Sequence, residues 1–239
     1  MGLPADLLRS PTDPSVRGRH DRTPAGASAA VRWVPIRALG ESHRPRLLAH
    51  LLALDERDRY LRFGYPASDD QVARYVAGLD FDRDEVFGIF NRKLELLAIA
   101  HVAFLPVGNG AVTVPAVEFG VSVLPHARGR GYGSRLFERA VLHARNRGIG
   151  EMIVHALSEN TAMLRIARKA GAVVVRDGAE SEARLQMPPD DMASRWGEAV
   201  EDGAAELDYR WKLHSHQVDS FIETLAEARS QLPTGRPVE

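Results

Sequence analysis

The feature that most constrains this chain is a glycine-rich turn between a strand-like run and an amphipathic helical segment. Residues 121–124 form the end of the strand-like run, glycines follow at positions 129, 131 and 133, and apolar residues at helical spacing continue to Arg147. Alternating glycines leave the backbone N–H groups of a turn uncovered by side chains, and the following helix adds the positive end of its dipole. The pattern therefore predicts a strand, a loop that binds a phosphate or diphosphate, and a helix.

The loop also supplies side chains that suit an anion. Two arginines add positive charge, and a serine in the first turn of the predicted helix either contacts a phosphate through its hydroxyl or is simply part of that turn. The candidate ligands in this segment are Arg128, Gly129, Arg130, Gly131, Tyr132, Gly133 and Ser134.

Two common phosphate-binding motifs do not fit this loop. A P-loop requires a lysine and then a hydroxyl residue, whereas this chain has Arg135 at that point. The dinucleotide fingerprint ends in Gly or Ala where the chain has Ser134, and it requires an acidic residue after the next strand, where the chain has His155 and Ala156. At least four strand-like runs also precede the loop, although that fingerprint belongs to a first βαβ unit. Dinucleotide binding is therefore disfavoured.

The hydrophobic pattern along the rest of the chain predicts a mixed sheet with helices on both faces. Short spacings between the runs at 86–90, 94–105 and 112–124 favour antiparallel hairpins, and the later strands alternate with helices. The predicted strands are 31–36, 86–90, 94–105, 112–124, 152–157, 173–175 and 183–187, and the predicted helices are 47–63, one that starts near Ser68, 131–147 and 160–170.

The two ends of the chain differ from the middle in composition. Residues 1–30 are rich in Pro, Gly, Arg and Ala without apolar periodicity, which predicts a flexible arm. After the Pro-Pro pair at 188–189, apolar residues at spacings of three, four or seven predict a helical extension over 189–230, although 207–213 also alternate as a strand would. This extension either packs on its own domain or forms a homodimer interface. The last residues, 231–239, are predicted to be a flexible tail.

Charge balance and residue types exclude several functional classes. The 239 residues include 31 Lys and Arg against 32 Asp and Glu, a formal net charge of −1, whereas a dedicated nucleic-acid binder usually has a basic excess. No apolar run approaches the roughly 18 residues that span a bilayer, and the start of the chain lacks the apolar stretch of a secretory signal. Cysteine is absent, which excludes thiol nucleophiles and cysteine-ligated zinc. We expect a cytoplasmic protein that binds neither nucleic acid nor membrane and holds no metal.

Two motifs together resemble those of the GNAT N-acetyltransferase superfamily. Arg128, Gly131 and Gly133 match its diphosphate loop, in which Arg or Gln is followed by two residues, Gly, one residue, and then Gly or Ala. Asn160 opens a second motif, Asn-x-x-Met-Leu-x-x-Ala-x-Lys-x-Gly-Ala, which is similar to the helix beside the pantetheine arm. The resemblance covers about residues 31–188 and looks strongest to bacterial protein-lysine acetyltransferase domains. It implies a mixed, mostly antiparallel central sheet with helices on both faces.

The resemblance implies acetyl-CoA as the co-substrate and a site along the strand before the loop. The backbone of Val121 and Val123 would pair with the pantetheine arm, and the N–H of Val121 would donate to the thioester oxygen, where such a donor stabilises developing negative charge. Asn160 would contact a pantetheine amide, although capping of the following helix explains an asparagine at this position almost equally well.

Glu118 is the candidate general base, because it is the one carboxylate in the apolar run 117–121. Partial removal from water raises the pKa of a carboxylate toward the range that proton abstraction near neutrality requires; a solvated position on the outer face of the strand is the alternative. The resemblance implies a tyrosine seven residues after Asn160 as general acid, but the chain has Ala167 there. The sequence therefore indicates acetyl transfer to a primary amine, of a protein lysine or a small molecule, with a non-catalytic acyl-CoA sensor as the alternative.

Overall fold

The computed structural model describes residues 34–106, 114–187 and 205, and within these ranges the chain forms a seven-stranded sheet and five α-helices. The strands are β1 Arg37–Leu39, β2 Glu85–Phe90, β3 Leu96–Leu105, β4 Ala116–Val123, β5 Glu151–Leu157, β6 Val173–Asp177 and β7 Glu180–Gln186. The helices are α1 Arg44–Leu52, α2 Glu56–Phe63, α3 Asp69–Ala77, α4 Tyr132–Asn146 and α5 Thr161–Lys169.

The sheet is mostly antiparallel, and its one parallel pair, β4 with β5, opens at the centre. The strand order is β1-β2-β3-β4-β5-β7-β6. β4 pairs with β3 along its whole length, but it pairs with β5 only from Ala116, opposite Glu151, to Glu118, opposite Ile153. Beyond Glu118 the two strands part. The second half of β4, residues 119–123, therefore has one edge without a strand partner in the described part of the chain.

Alternation along the central strands explains why helices cover both faces. Successive side chains of a strand point to opposite faces. Phe87 of β2 belongs to the core that includes α4 and α5, whereas its neighbour Val86 belongs to the core that includes α1 and α3. In the first of these cores, the rings of Phe119 and Phe137 meet edge to face with centroids 5.0 Å apart, which fixes α4 against β4. The predicted fold class, a mostly antiparallel mixed sheet with helices on both faces, is confirmed.

The first predicted strand, 31–36, is wrong in position. Its described residues, 34–36, are not in a strand, and β1 begins instead at Arg37, opposite Gly88 of β2. Pro35 has no backbone N–H to donate to a strand ladder, which disfavours pairing at the predicted place. The other predicted strands agree with the observed ones within a few residues at their described ends.

The predicted helical region 47–63 consists of two helices because a capping residue restarts the helix. The carboxylate of Asp55 accepts a hydrogen bond of 2.7 Å from the N–H of Asp58, so α2 begins as a separate element. The helix predicted near Ser68 is confirmed as α3. Its capping box is complete, because Ser68 Oγ accepts from the N–H of Gln71 at 3.3 Å and the Gln71 side chain accepts from the N–H of Ser68 at 2.9 Å.

The predictions for both ends of the chain lie outside the described residues. These are the arm over 1–30, the extension over 189–230 and the tail over 231–239; of the extension, only Ala205 is described, and it is helical and buried. Across the described ranges, every helix is too short or too polar to cross a membrane.

Candidate active site

A cavity of about 560 Å³ opens where β4 and β5 part. Its walls come from α2, the second half of β4, the glycine loop, the first turn of α4 and the first two turns of α5. All the predicted cofactor ligands except Arg130, which is exposed, line this cavity. They are Val121, Val123, Arg128, Gly129, Gly131, Tyr132, Gly133, Ser134 and Asn160. The fold thus gathers two motifs that are separated along the chain around one space.

Glycine occurs at the three loop positions for different structural reasons. Gly129 and Gly131 have φ angles of 74° and 77°, a region that favours glycine, and a Cβ built on either would have no atom within 4 Å. Gly133 lies outside that region, but its Cβ would be only 3.1 Å from Cδ1 of Ile166. Positive φ angles therefore account for two of the glycines, a side chain at the third would crowd Ile166 where α4 packs on α5, and the surface over the first two is open.

The first turn of α4 presents backbone donors. The helix begins at Tyr132, and Gly131 is its N-cap without a side-chain hydrogen bond. The N–H of Arg135 donates to the carbonyl of Gly131 at 3.1 Å, so the N–H groups of Tyr132, Gly133 and Ser134 have no partner inside the helix. Such groups, together with the helix dipole, attract anions. This end of the cavity suits a phosphate or diphosphate.

Arg128 is held by the protein on the α2 side of the loop. Its guanidinium forms an ion pair with the buried carboxylate of Asp58, and its Nε donates to the carbonyl of Val123 at 3.2 Å. The pair joins the loop to α2, and the carboxylate offsets part of the arginine's charge. The backbone donors of α4 therefore supply more of the positive potential than the sequence alone indicated. Sequence reasoning missed Asp58, since nothing in its local pattern links it to the distant loop.

A second cavity of about 720 Å³ adjoins the first and contains the predicted base. Both cavities are lined by Leu61, Arg62, Val121, Asn160 and Met163. Glu118 lines the second cavity, is half-buried, and occupies the position where the pairing of β4 with β5 ends. The predicted base and Val121, the predicted thioester donor, therefore both border the second cavity.

The far wall of the second cavity comes from β5 and the hairpin of β6 and β7. Asp177, Glu180 and Glu182 line it, and Glu182 forms an ion pair of 2.5 Å with Arg184. His155 lines the same cavity, with its Nδ1 4.0 Å from Glu182. The three acidic residues were not among the predicted site residues, because their common location follows from strand pairing and has no local signature. His155 was not among them either, because a lone histidine at the end of a strand is more often structural.

Asn160 caps α5 and also borders both cavities. Its Oδ1 accepts from the N–H of Met163 at 3.1 Å, and its Nδ2 donates to the carbonyl of Leu61 at 3.4 Å. The capping role is confirmed, and the contact with a pantetheine amide stays a prediction. Ala167 is fully buried in the core and lines neither cavity, so this position supplies no hydroxyl to the site.

Arg62 ends a chain of hydrogen bonds that runs from the cavities into the protein. Its Nη2 donates to Oη of Tyr75 at 2.9 Å, that hydroxyl lies 2.9 Å from Nδ1 of His101, and Nε2 of His101 lies 3.2 Å from Oδ2 of Asp84. Burial lowers the pKa of His101, and the charge of Arg62 lowers it further, so the imidazole is neutral near pH 7. It donates to Asp84 through Nε2 and accepts the Tyr75 hydroxyl at Nδ1. Sequence reasoning singled out none of these four residues.

A second histidine lies beneath the first cavity. Nδ1 of His50 is 2.7 Å from the carbonyl of Leu96, and Nε2 is 2.9 Å from Oγ of Ser122, which lines the cavity. Burial lowers the pKa of His50 to about 4, so the ring is neutral near pH 7. Because a carbonyl only accepts, Nδ1 carries the proton and Nε2 accepts from the serine hydroxyl. The contact joins α1 to the strand of the site.

Comparison with known protein families decides the identity of this domain. Residues 34–173, more than half of the chain, match the model of the acetyltransferase (GNAT) domain family. The chain belongs to the GNAT acetyltransferase family. The predicted superfamily is therefore confirmed. No curated protein matches the chain.

Several solved structures share the fold of this GNAT acetyltransferase. The GNAT domain of S. lividans PAT is 22% identical, with a TM-score of 0.54 over 64% of this chain and 89% of that one. A putative acetyltransferase from Acinetobacter baylyi is 18% identical, with a TM-score of 0.52 over 65% and 98% of the two chains. A putative acetyltransferase from Salmonella typhimurium, solved with its cofactor acetyl-CoA, is 18% identical, with a TM-score of 0.50 over 66% and 96%. At these identities the likeness shows the fold alone.

Proposed function

We propose that this GNAT protein transfers the acetyl group of acetyl-CoA to a primary amine, with Glu118 as the general base. The observation that carries the proposal is the position of Glu118 in the second cavity, which meets the first cavity at Val121. The acyl donor would occupy the first cavity and the amine the second. The thioester would then lie beside Val121, within reach of an amine held at Glu118.

The first cavity fits an extended molecule with a diphosphate at one end. The open surface over Gly129 and Gly131 and the backbone donors of α4 lie at that end. The unpaired edge of residues 119–123 offers backbone groups to the amides of a pantetheine arm, in the way that a strand would pair. The Salmonella typhimurium neighbour, which has the same fold, was solved with acetyl-CoA.

The reaction requires that an ammonium group lose a proton before it attacks. Glu118 accepts this proton, directly or through water, and the free amine then attacks the carbonyl carbon of the thioester. The N–H of Val121 donates to the carbonyl oxygen as negative charge develops there. A C–N bond forms, the C–S bond breaks, and CoA leaves as a thiolate that takes up the second proton of the amine. Thiols ionise readily enough for this departure without a tyrosine at position 167.

The test compares Glu118→Gln with the wild-type protein in an assay for free CoA thiol over a panel of primary amines. We expect kcat to fall about 100-fold or more, as loss of a general base typically causes, with little change in the KM for acetyl-CoA. Glu138→Gln, an equally conservative change at an exposed position on α4 that lines neither cavity, is the control. An unchanged kcat in Glu118→Gln would reject the base, and CoA binding without thiol release from any amine would favour the sensor.

A further inference from the structure

The guanidinium of Arg62 lies directly against the backbone of Gly120, between the two cavities. A Cβ built on Gly120 would be 2.7 Å from Cζ, Nη1 and Nη2 of Arg62, so no other residue leaves room for the guanidinium here. The group also lies over the rings of Phe63 and Tyr75, at 5.4 and 5.5 Å from their centroids. With the hydrogen bond to Tyr75, these contacts hold the arginine in one place.

In the described part of the chain, the charge of Arg62 has no carboxylate partner, unlike that of two other arginines that line the cavities. Arg128 is paired with Asp58, and Arg184 is paired with Glu182. Among the described residues, no carboxylate oxygen lies within 4.0 Å of Arg62; the guanidinium donates from Nη2 to Tyr75, and its buried Nε has no hydrogen-bond partner. A guanidinium that lines a cavity with unused donors is suited to an oxygen anion of a ligand.

The predicted base lies close to this arginine on the same face of β4. Glu118 and Gly120 are two residues apart, which corresponds to about 7 Å along a strand and places both on one face. A ligand that bridges Glu118 and Arg62 must therefore carry its amine and its anionic group close together. In an α-amino acid one carbon separates them, whereas the ε-amine of a lysine side chain has no anionic group nearby.

We infer that the acceptor is an α-amino acid, with its amine at Glu118 and its carboxylate bound by Arg62. This inference rests on the proposed function and assigns the substrate class for the same site. Arg62 is then a specificity residue, and the chain of Tyr75, His101 and Asp84 keeps its guanidinium in the binding position. An amine without a carboxylate would leave the charge of Arg62 partly desolvated and unpaired. The kcat/KM for such an amine should therefore be lower.

The experiment measures kcat/KM by thiol release for the standard L-α-amino acids, for their decarboxylated amines, and for a lysine peptide with a blocked N-terminus. For the best amino acid we expect a kcat/KM about 100-fold above that of its decarboxylated amine and of the peptide. In Arg62→Gln, the kcat/KM for the amino acid should fall close to that for its decarboxylated amine, whereas the kcat/KM for the amine should change little. Arg62→Lys should retain part of the preference for the amino acid. Arg57→Gln, at an exposed position on the same helix that lines neither cavity, is the control.

The outcomes separate this inference from the proposed function. Equal or better turnover of decarboxylated amines or of the lysine peptide would overturn the inference and leave the proposed function in place. If Arg62→Gln lowers kcat/KM equally for an amino acid and for its decarboxylated amine, Arg62 has a structural role, and the inference is also overturned. If Arg62→Gln does not fold, the wild-type panel and Arg62→Lys decide the question. Absence of thiol release from every amine would remove the proposed function as well.

Discussion

The hydroxyl of Ser122 donates to Nε2 of His50 in a buried hydrogen bond of 2.9 Å that joins α1 to β4, the strand of the candidate active site. Because burial lowers the pKa of His50 to about 4, from 6.5 in an unfolded chain, the folded protein binds the proton only at lower pH. Between pH 6.5 and 4 the unfolded chain therefore carries a proton on this residue that the folded chain does not. Acid in this range should favour unfolding.

We predict that protonation of His50 lowers the free energy of unfolding by about 3 kcal/mol as the pH decreases from 6.5 to 4. Urea titrations at several pH values measure the change. In His50→Asn the slope with pH should be smaller, although it should not vanish, because burial also lowers the pKa of His101. An identical slope in the variant would show that His50 is not the group responsible.

A substitution at Gly131 tests the backbone of the proposed diphosphate loop. Its φ of 77° disfavours any other residue, so Gly131→Ala should lower the free energy of unfolding by about 1–2 kcal/mol. Gly40 is the matched control, because a Cβ there also meets no atom within 4 Å but its φ is −115°. Gly40→Ala should leave stability nearly unchanged. Calorimetry should find that Gly131→Val no longer binds CoA, and retained binding would contradict the proposed loop.

The ion pair of Arg128 with Asp58 predicts a coupled effect on stability and CoA affinity. Arg128→Gln should leave the buried carboxylate unpaired, which costs about 1–3 kcal/mol, and should raise the Kd for CoA about tenfold because a negative charge then faces the diphosphate site. The double variant Asp58→Asn with Arg128→Gln should recover much of the stability. Additive losses in this double-mutant cycle would mean that the two side chains act independently.

Substitutions of Asn160 separate its two roles. Asn160→Ala removes the cap of α5 and should cost about 1 kcal/mol of stability, whereas Asn160→Asp keeps an oxygen that accepts from Met163. If the amide also contacts the pantetheine arm, Asn160→Asp should keep its thermal midpoint and yet raise the KM for acetyl-CoA. Equal KM values for Asn160→Asp and the wild type would leave Asn160 with structural contacts alone, the cap of α5 and the hydrogen bond to Leu61.

Most helices and strands, and the loop that precedes α4, could be predicted from sequence. Apolar periodicity located α4, and short apolar runs located β3 and β5, because these signals depend on nearby residues. The position of β1 could not be predicted in this way, since three residues become a strand only through pairing with β2. For the same reason, the loop residues that line the first cavity were predicted more completely than the residues that surround them.

The sequence by itself determined the local chemistry of this protein: glycines that permit a left-handed turn at 129 and 131, a helix that starts directly after them, and one carboxylate in the strand before. Only the tertiary structure decided which distant residues contact this loop and strand. Asp58 pairs with Arg128, and Arg62 lies on Gly120, because α2 packs beside β4 where the sheet opens. Backbone conformation is set over a few residues, whereas charge pairing and cavity shape depend on residues far apart in the chain that packing brings together.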